Sequence, residues 1–332
     1  MRWALVLPLL ISFSCSRVQA PRPGEQRSGL FLVRQNGHFG FVNQHGAVKI
    51  APQFEQAGPF SDGLAAVSVG GRAGYIDTAG KFVINPQFEG GGPFSDGLAA
   101  VRMGDAWGFI DKQGKLVIPA QFQPAGNAPL EFSDGLAAVS HGPGSPVGYI
   151  NRDGRMVIAP HYDYAAAFSD GLAMVGVGRR FGFIDHDGKI VVNPQFDQAS
   201  SFSDGRAAVR VGARWGYIDR NGKMVINPQF DQARAFSEGL ALVVIGNRVG
   251  FIDRDGKMAI NPQFDAANDF RDGRAPVRVG NLWGYIDKAG KMVIRPQFEN
   301  ARPFSPDLAP VQVGSAWGYV DRDGKIIWNP SV

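Results

Sequence analysis

Asp253, Asp255 and Lys257, in the stretch DRDGK, put two carboxylates into one short loop, and Asp321, Asp323 and Lys325 repeat them. Such a pair resembles the start of a calcium loop, but calcium takes roughly six to eight oxygen ligands. Ala79, Gln113, Asn221 and Ala289 hold the second acidic place in related stretches, so a hairpin turn accounts for all of them. Acid–base chemistry would fall to His141, His161 and Asp163, the best-grouped polar set outside the regular pattern. The histidines share no metal-ligand or triad spacing, and no Ser or Cys stands in a nucleophile-elbow setting. No glycine loop for phosphate opens a helix. The sequence therefore predicts no enzyme, no metal and no cofactor.

Binding chemistry is better represented. Arg180, Arg214 and Arg248 recur at a fixed interval. In register they would form a ladder of guanidinium groups, which repel unless something anionic lies between them. Asp197, Asp231 and Asp265 recur in the same stretches, leaving two readings: internal pairs, or an edge for an external anionic partner. Trp107, Trp215, Trp283 and Trp317 could stack on sugar rings, although Val and Ala fill their place elsewhere, which favours packing. A Gln precedes a Phe repeatedly, at Gln53, Gln87, Gln121, Gln195, Gln229, Gln263 and Gln297, with His161 as the exception. Its amide is expected to satisfy backbone freed by the preceding Pro.

What positions these side chains is a repeat. The glycine after Trp215 is Gly216; its counterparts are Gly40, Gly74, Gly108, Gly148, Gly182, Gly250, Gly284 and Gly318. Their spacing is 34 residues throughout, except for one step of 40 between Gly108 and Gly148. The extra residues fall in 123–131 and 141–146 and are expected to loop outside a regular body.

Each copy reads as three strands. In residues 63–96 the first covers 64–69, with Ala65, Val67 and Val69 on a buried face alternating with free places such as Ser68. The second covers 73–77, where Gly74 is read as room for a ring against the backbone. DTAG at 77–80 suits a type I turn with a left-handed glycine. The third covers 81–86; its consecutive apolar residues predict burial on both faces, and Pro86 ends the pairing. The remainder is a connection anchored by Phe88 and Phe94. The expected fold is all-β: about nine tandem 34-residue repeats of three short antiparallel strands, stacked as an open β-solenoid or superhelix. No strand is left at either end for the exchange that often closes a ring, so a closed β-propeller is the alternative.

The 44 glycines and 22 prolines fit frequent tight turns. The formal charge is +4, and residues 1–28 carry four Arg against one Glu, or +3, which leaves +1 for the repeats. A nearly neutral body has no general attraction for nucleic acid. Arg2 and the apolar run 4–13 read as an export signal, too short to span a bilayer. Residues 1–20 are expected to be a signal peptide, 21–28 a linker and 29–332 the repeat body. Cys15, the single cysteine, resembles the acylated acceptor of a bacterial lipoprotein; cleavage after Ala20 is the alternative. Export to the periplasm, outer membrane or cell surface follows, with membrane contact only through such a lipid.

The phrase WGYIDxxGKxVIxPQF, followed by FSDGLAxV, resembles the bacterial WG repeat over about residues 29–332. Trp itself precedes the glycine in four copies; Phe39, Ala73, Val147, Phe181 and Val249 stand there in the others. The resemblance implies a β-rich repeat scaffold, often exported, without an agreed activity. The expected function is a non-catalytic exported scaffold for a protein or cell-envelope polymer. A carbohydrate- or peptidoglycan-binding module is the alternative.

Overall fold

The structure, a computed structural model, describes residues 29–124 and 130–329. The expected signal peptide, the linker and Cys15 lie outside the described residues. Among the described residues there is no helix, as the sequence leads one to expect. Nine successive units follow one another, and within each the antiparallel strands pair with their sequence neighbours.

The second unit shows the pattern. The three expected strands form as Ala65–Val69, Arg72–Ile76 and Phe82–Phe88. A fourth, two-residue strand, Gln56–Ala57, precedes them and pairs with the first at Ser68 and Val67. The sequence pattern shows this segment only as a connection. Its turn is equally regular: Ser61 and Leu64 exchange backbone hydrogen bonds across Asp62 and Gly63, whose φ angles are 52° and 88°. Two successive positive φ values make the type I′ turn that suits a right-twisted hairpin. In the fourth unit the leading strand fuses with the preceding sheet, because Leu116–Pro124 runs on to pair with Leu136–Ser140, giving one seven-stranded sheet.

The third strand departs from expectation twice. It does not stop at the proline: Phe88 still pairs with Ala73, while Ile84 pairs with Tyr75, so four residues on one strand span two on the other. The surplus arches as a bulge over Gly74. A Cβ there would sit 2.6 Å from the Ile84 carbonyl oxygen and 2.7 Å from the Pro86 nitrogen. The glycine thus makes room for backbone, not for a ring. Nor is the strand buried on both faces, for Ile84 is 3% exposed and its neighbour Val83 is 45% exposed. The β-branched run reflects strand preference on an outer edge, and burial follows alternation after all.

Between successive units lie the cores. Tyr75, Ile84 and Phe88 pack with Phe94, Ala99, Val101 and Ile110 of the next unit. Phe41, Phe109, Phe183 and Phe251 fill the place of Tyr75 at some junctions. Where it is a tyrosine, the buried hydroxyl finds a carbonyl: Tyr75 donates to Gly92, Tyr149 to Ala166, Tyr217 to Arg234 and Tyr285 to Arg302, at 2.7–2.9 Å. A ring from the next unit meets it edge-on, as Phe94 meets Tyr75 at 4.9 Å.

The array is closed, not open. Phe31, Val33 and Val42 of the first unit share one cluster with Leu308, Tyr319, Ile327 and Trp328 of the last. Tyr319 donates its hydroxyl to the Leu32 carbonyl at 2.7 Å, and its ring meets Phe31 at 5.7 Å. At the other junctions a hairpin glycine sits on the preceding unit's Ile or Val, as Gly80 sits on Ile50; Gly46 likewise sits against Ile327. No strand is exchanged among the described residues, since the first and last units remain separate sheets. Among the described residues the ring closes through side-chain packing and the Tyr319 hydrogen bond, without a shared strand.

Candidate functional site

Each sheet has two ends. At one lie the hairpins such as Asp77 to Gly80 and the type I′ turns such as Asp62–Gly63. At the other lie the turns between first and second strands, such as Gly70–Gly71, and the connections that enter each unit.

The first end carries clips between several neighbouring units that sequence reasoning missed. Asp62 accepts the backbone N–H of Gly97 in the next unit at 2.8 Å; Asp96, Asp170 and Asp204 do the same for Gly135, Gly205 and Gly239. Cations from the next unit's hairpin join them, as Arg220 reaches Asp170 at 3.5 Å and Arg254 reaches Asp204 at 3.2 Å. The recurring Ser-Asp-Gly was the signal, since a type I′ turn holds its carboxylate in one direction. These contacts join units. Within the DRDGK stretch, Asp253 Oδ1 accepts the N–H groups of Asp255 and Lys257, so the loop is a hairpin turn. Among the described residues no set of three or more His, Cys, Asp or Glu could hold a metal ion.

The second end carries the arginine ladder. Arg180 donates to Asp197 at 2.6 Å and to the Gln195 carbonyl at 3.0 Å. Arg248 reaches Asp265 at 2.5 Å, and Arg214 pairs with Asp231. The other oxygen of each acid accepts the turn N–H of the following unit: Asp197 from Gly212, Asp231 from Gly246, Asp265 from Gly280, all at 2.7 Å. Each acid therefore ties an arginine of one unit to a turn of the next, as the internal reading expects. Glu55 holds Gly70 and Gly71 in the same way, and those two N–H bonds lower its pKa.

This end also exposes apolar side chains. The last residue of the first strand, expected on the buried face, stands 43–48% exposed as Val69, Met103, Val177, Val211, Ile245, Val279 and Val313. It overshoots the interface that covers Val67, so alternation fails at the strand end.

The other candidates separate. Trp107, Trp215 and Trp283 are half-buried against interunit cores, whereas Trp317 is 36% exposed beneath the Arg302 guanidinium at 4.4 Å. Between the fifth and sixth units, Tyr164, Met174, Phe181, Asp197, Gln198, Ala199 and Trp215 line an open hollow of about 330 Å³. The Gln before each Phe is exposed and makes no side-chain hydrogen bond among the described residues, so it does not serve the backbone near the proline. His141 packs on Phe122 and His161 on Tyr162, while Asp163 binds the Gly178 N–H; they form no triad.

The WG containing repeat family matches residues 39–72, 74–105, 107–142, 148–178, 181–214, 215–248, 250–283 and 283–315. No curated protein matches the chain. Among solved structures, one described as a eukaryotic initiation factor is similar with a TM-score of 0.63 at 14% identity, over 90% of this chain and 95% of that one. Dihydro-heme d1 dehydrogenase NirN, in complex with DHE, gives 0.49 at 15% identity, over 87% and 77%. At such identities the first likeness speaks for the fold alone.

Proposed function

From the premise that this chain belongs to the WG containing repeat family, we propose that it is a non-catalytic, exported scaffold binding a protein or cell-envelope polymer. The observation that supports this reading is the circle of exposed aliphatic side chains at the arginine-bearing end. Seven units place one there. Apolar groups repeated at one place around a ring form a surface on which a partner gains by excluding water. The polar rim of paired arginines and acids around them would set orientation.

The test compares retention of envelope material on the wild-type chain with that on a variant carrying Val177, Val211, Ile245 and Val279 all changed to Ser. Loss of retention with an unchanged melting curve is expected. Equal retention would remove the reading. Val83→Ser with Val157→Ser, on outer strands, is the control for general loss of apolar surface.

A second reading, carbohydrate binding, draws on the hollow between the fifth and sixth units. Its Tyr164, Phe181 and Trp215 offer aromatic faces beside the polar Asp197 and Gln198. Trp215→Ala should then abolish retention on peptidoglycan or a soluble glycan; unaltered retention rejects it. Export and acylation at Cys15 belong to the same proposal. Cys15→Ser should release the protein from the membrane fraction, and identical detergent partition of the two forms would reject the anchor.

A further inference from the structure

The fourth unit breaks the arginine pattern in one informative way. Arg180, Arg214 and Arg248 pair with Asp197, Asp231 and Asp265, each 17 positions later. One repeat earlier the acid is Asp163, and the arginine's place is taken by Pro146. Asp163 keeps half of its task, since one carboxylate oxygen accepts the Gly178 N–H at 2.6 Å. Among the described residues no cation reaches the other oxygen. Glu299 and Leu282 stand in the same places of a later unit, but Glu299 does not border the cleft beside Asp163. Asp163 does. It borders a cleft of about 620 Å³, walled by Gln123, Pro124, Ser140, Pro143, Pro146 and their neighbours.

We propose that this cleft is a seat for a guanidinium group, taking an arginine side chain of a partner polypeptide where the next three units supply their own. The fold itself holds the template. Arg180 Nη1 donates at once to the Asp197 carboxylate and to the Gln195 carbonyl. The equivalent acceptors one repeat earlier are Asp163 and the carbonyl of His161. A planar guanidinium with several donors satisfies two such acceptors in fixed geometry, which an ammonium point charge does less well. The cleft suits the rest of the side chain too. Pro124, Pro143, Pro146 and Val147 line it with apolar surface for the aliphatic stem. Its wall is pre-formed, because the Ser140 hydroxyl bonds the carbonyls of Gly142 (2.8 Å) and Ser145 (3.2 Å), fixing the inserted loop. Pro146 thus stands where the internal arginine would be, and the lengthened turn at 141–146 borders the space in front of its acid. This inference does not depend on the aliphatic circle being a docking surface.

The test titrates the full chain with N-acetyl-L-arginine amide while following the Gly178 amide resonance, whose N–H reports on Asp163. A saturable shift is expected with the wild type, and none with the uncharged citrulline analogue. Asp163→Asn should weaken binding at least tenfold, since Asn keeps the Gly178 bond but loses the charge. Pro146→Arg should also abolish binding, by filling the seat from within while Asp163 stays; it decides the matter if the first variant folds poorly. Asp231→Asn should bind as the wild type does. No saturable shift in the wild type would overturn the proposal. So would equal binding of the citrulline or lysine analogue, undiminished binding by Pro146→Arg, or equal loss in Asp231→Asn.

Discussion

The Tyr319 hydroxyl meets the Leu32 carbonyl at 2.7 Å, although the two residues lie 287 positions apart. This contact makes the last junction like those of Tyr75, Tyr149, Tyr217 and Tyr285. The tyrosine that ordinarily bonds a carbonyl of the following unit has, at the chain's end, the first unit to bond. In an open stack the terminal units would have one neighbour each and would fray first. In the ring every unit has two.

Tyr319→Phe should therefore cost as much as Tyr217→Phe, about 1 kcal/mol, because each removes one buried hydroxyl bond at an equivalent junction. Denaturant unfolding of the two variants measures this. A negligible effect at Tyr319 beside a normal one at Tyr217 would mean that the junction opens in solution.

Val209 is completely buried in an interunit core. Val209→Asp places an unpaired carboxylate there, and a loss of at least about 3 kcal/mol is expected. Thermal unfolding is the measurement, with hydrogen exchange rising first in the adjoining units. An unchanged melting curve would contradict the packing described.

Gly74→Ala should destabilise by about 1–3 kcal/mol, since its methyl would overlap the bulged backbone of Ile84 and Pro86. Because those atoms are main chain, rotamer changes cannot relieve the overlap. A melting temperature equal to the wild type's would show that the bulge is not held there.

Burial raises the pKa of Tyr75, Tyr149, Tyr217 and Tyr285, and pushes that of Tyr319 up to about 12 despite the opposing effect of Arg302. A raised folded pKa means that the folded chain keeps its phenol protons more tightly than the unfolded one. This contribution to stability is complete below about pH 10, the ordinary tyrosine value, and is lost as pH climbs through the raised values. Absorbance titration at constant temperature should show most tyrosines ionising only together with unfolding. Smooth ionisation near pH 10 in a still-folded chain would contradict their burial.

Changing Arg180, Arg214 and Arg248 together to Gln removes three pairs whose arginines are about half exposed. A loss of at most about 1 kcal/mol per pair is expected, shrinking with added salt. Retention of an acidic envelope polymer should be unaltered, since each guanidinium already has its carboxylate. Weaker retention that salt abolishes would instead support the external-anion reading of this edge.

The sequence by itself determined the unit. The 34-residue interval, the alternation of Ala65 and Val67, the Asp77 to Gly80 turn and the anchoring Phe88 and Phe94 are all local facts, and all stand in the structure. These features depend on φ and ψ preferences and on which face of one strand meets a core. Three others were not legible. The two-residue leading strand is too short to show a period, the exposure of Val83 depends on which strand lies outermost, and the role of Gly74 depends on a bulge in a different strand. Closure lies furthest from any local signal. Each unit fixes only the small rotation that relates it to the next, through side chains such as Tyr75 and Phe94. Whether nine such rotations sum to a full turn is a property of no single residue. The meeting of the last unit with the first, at Tyr319 and Leu32 and in the cluster around Val42 and Leu308, shows that they do.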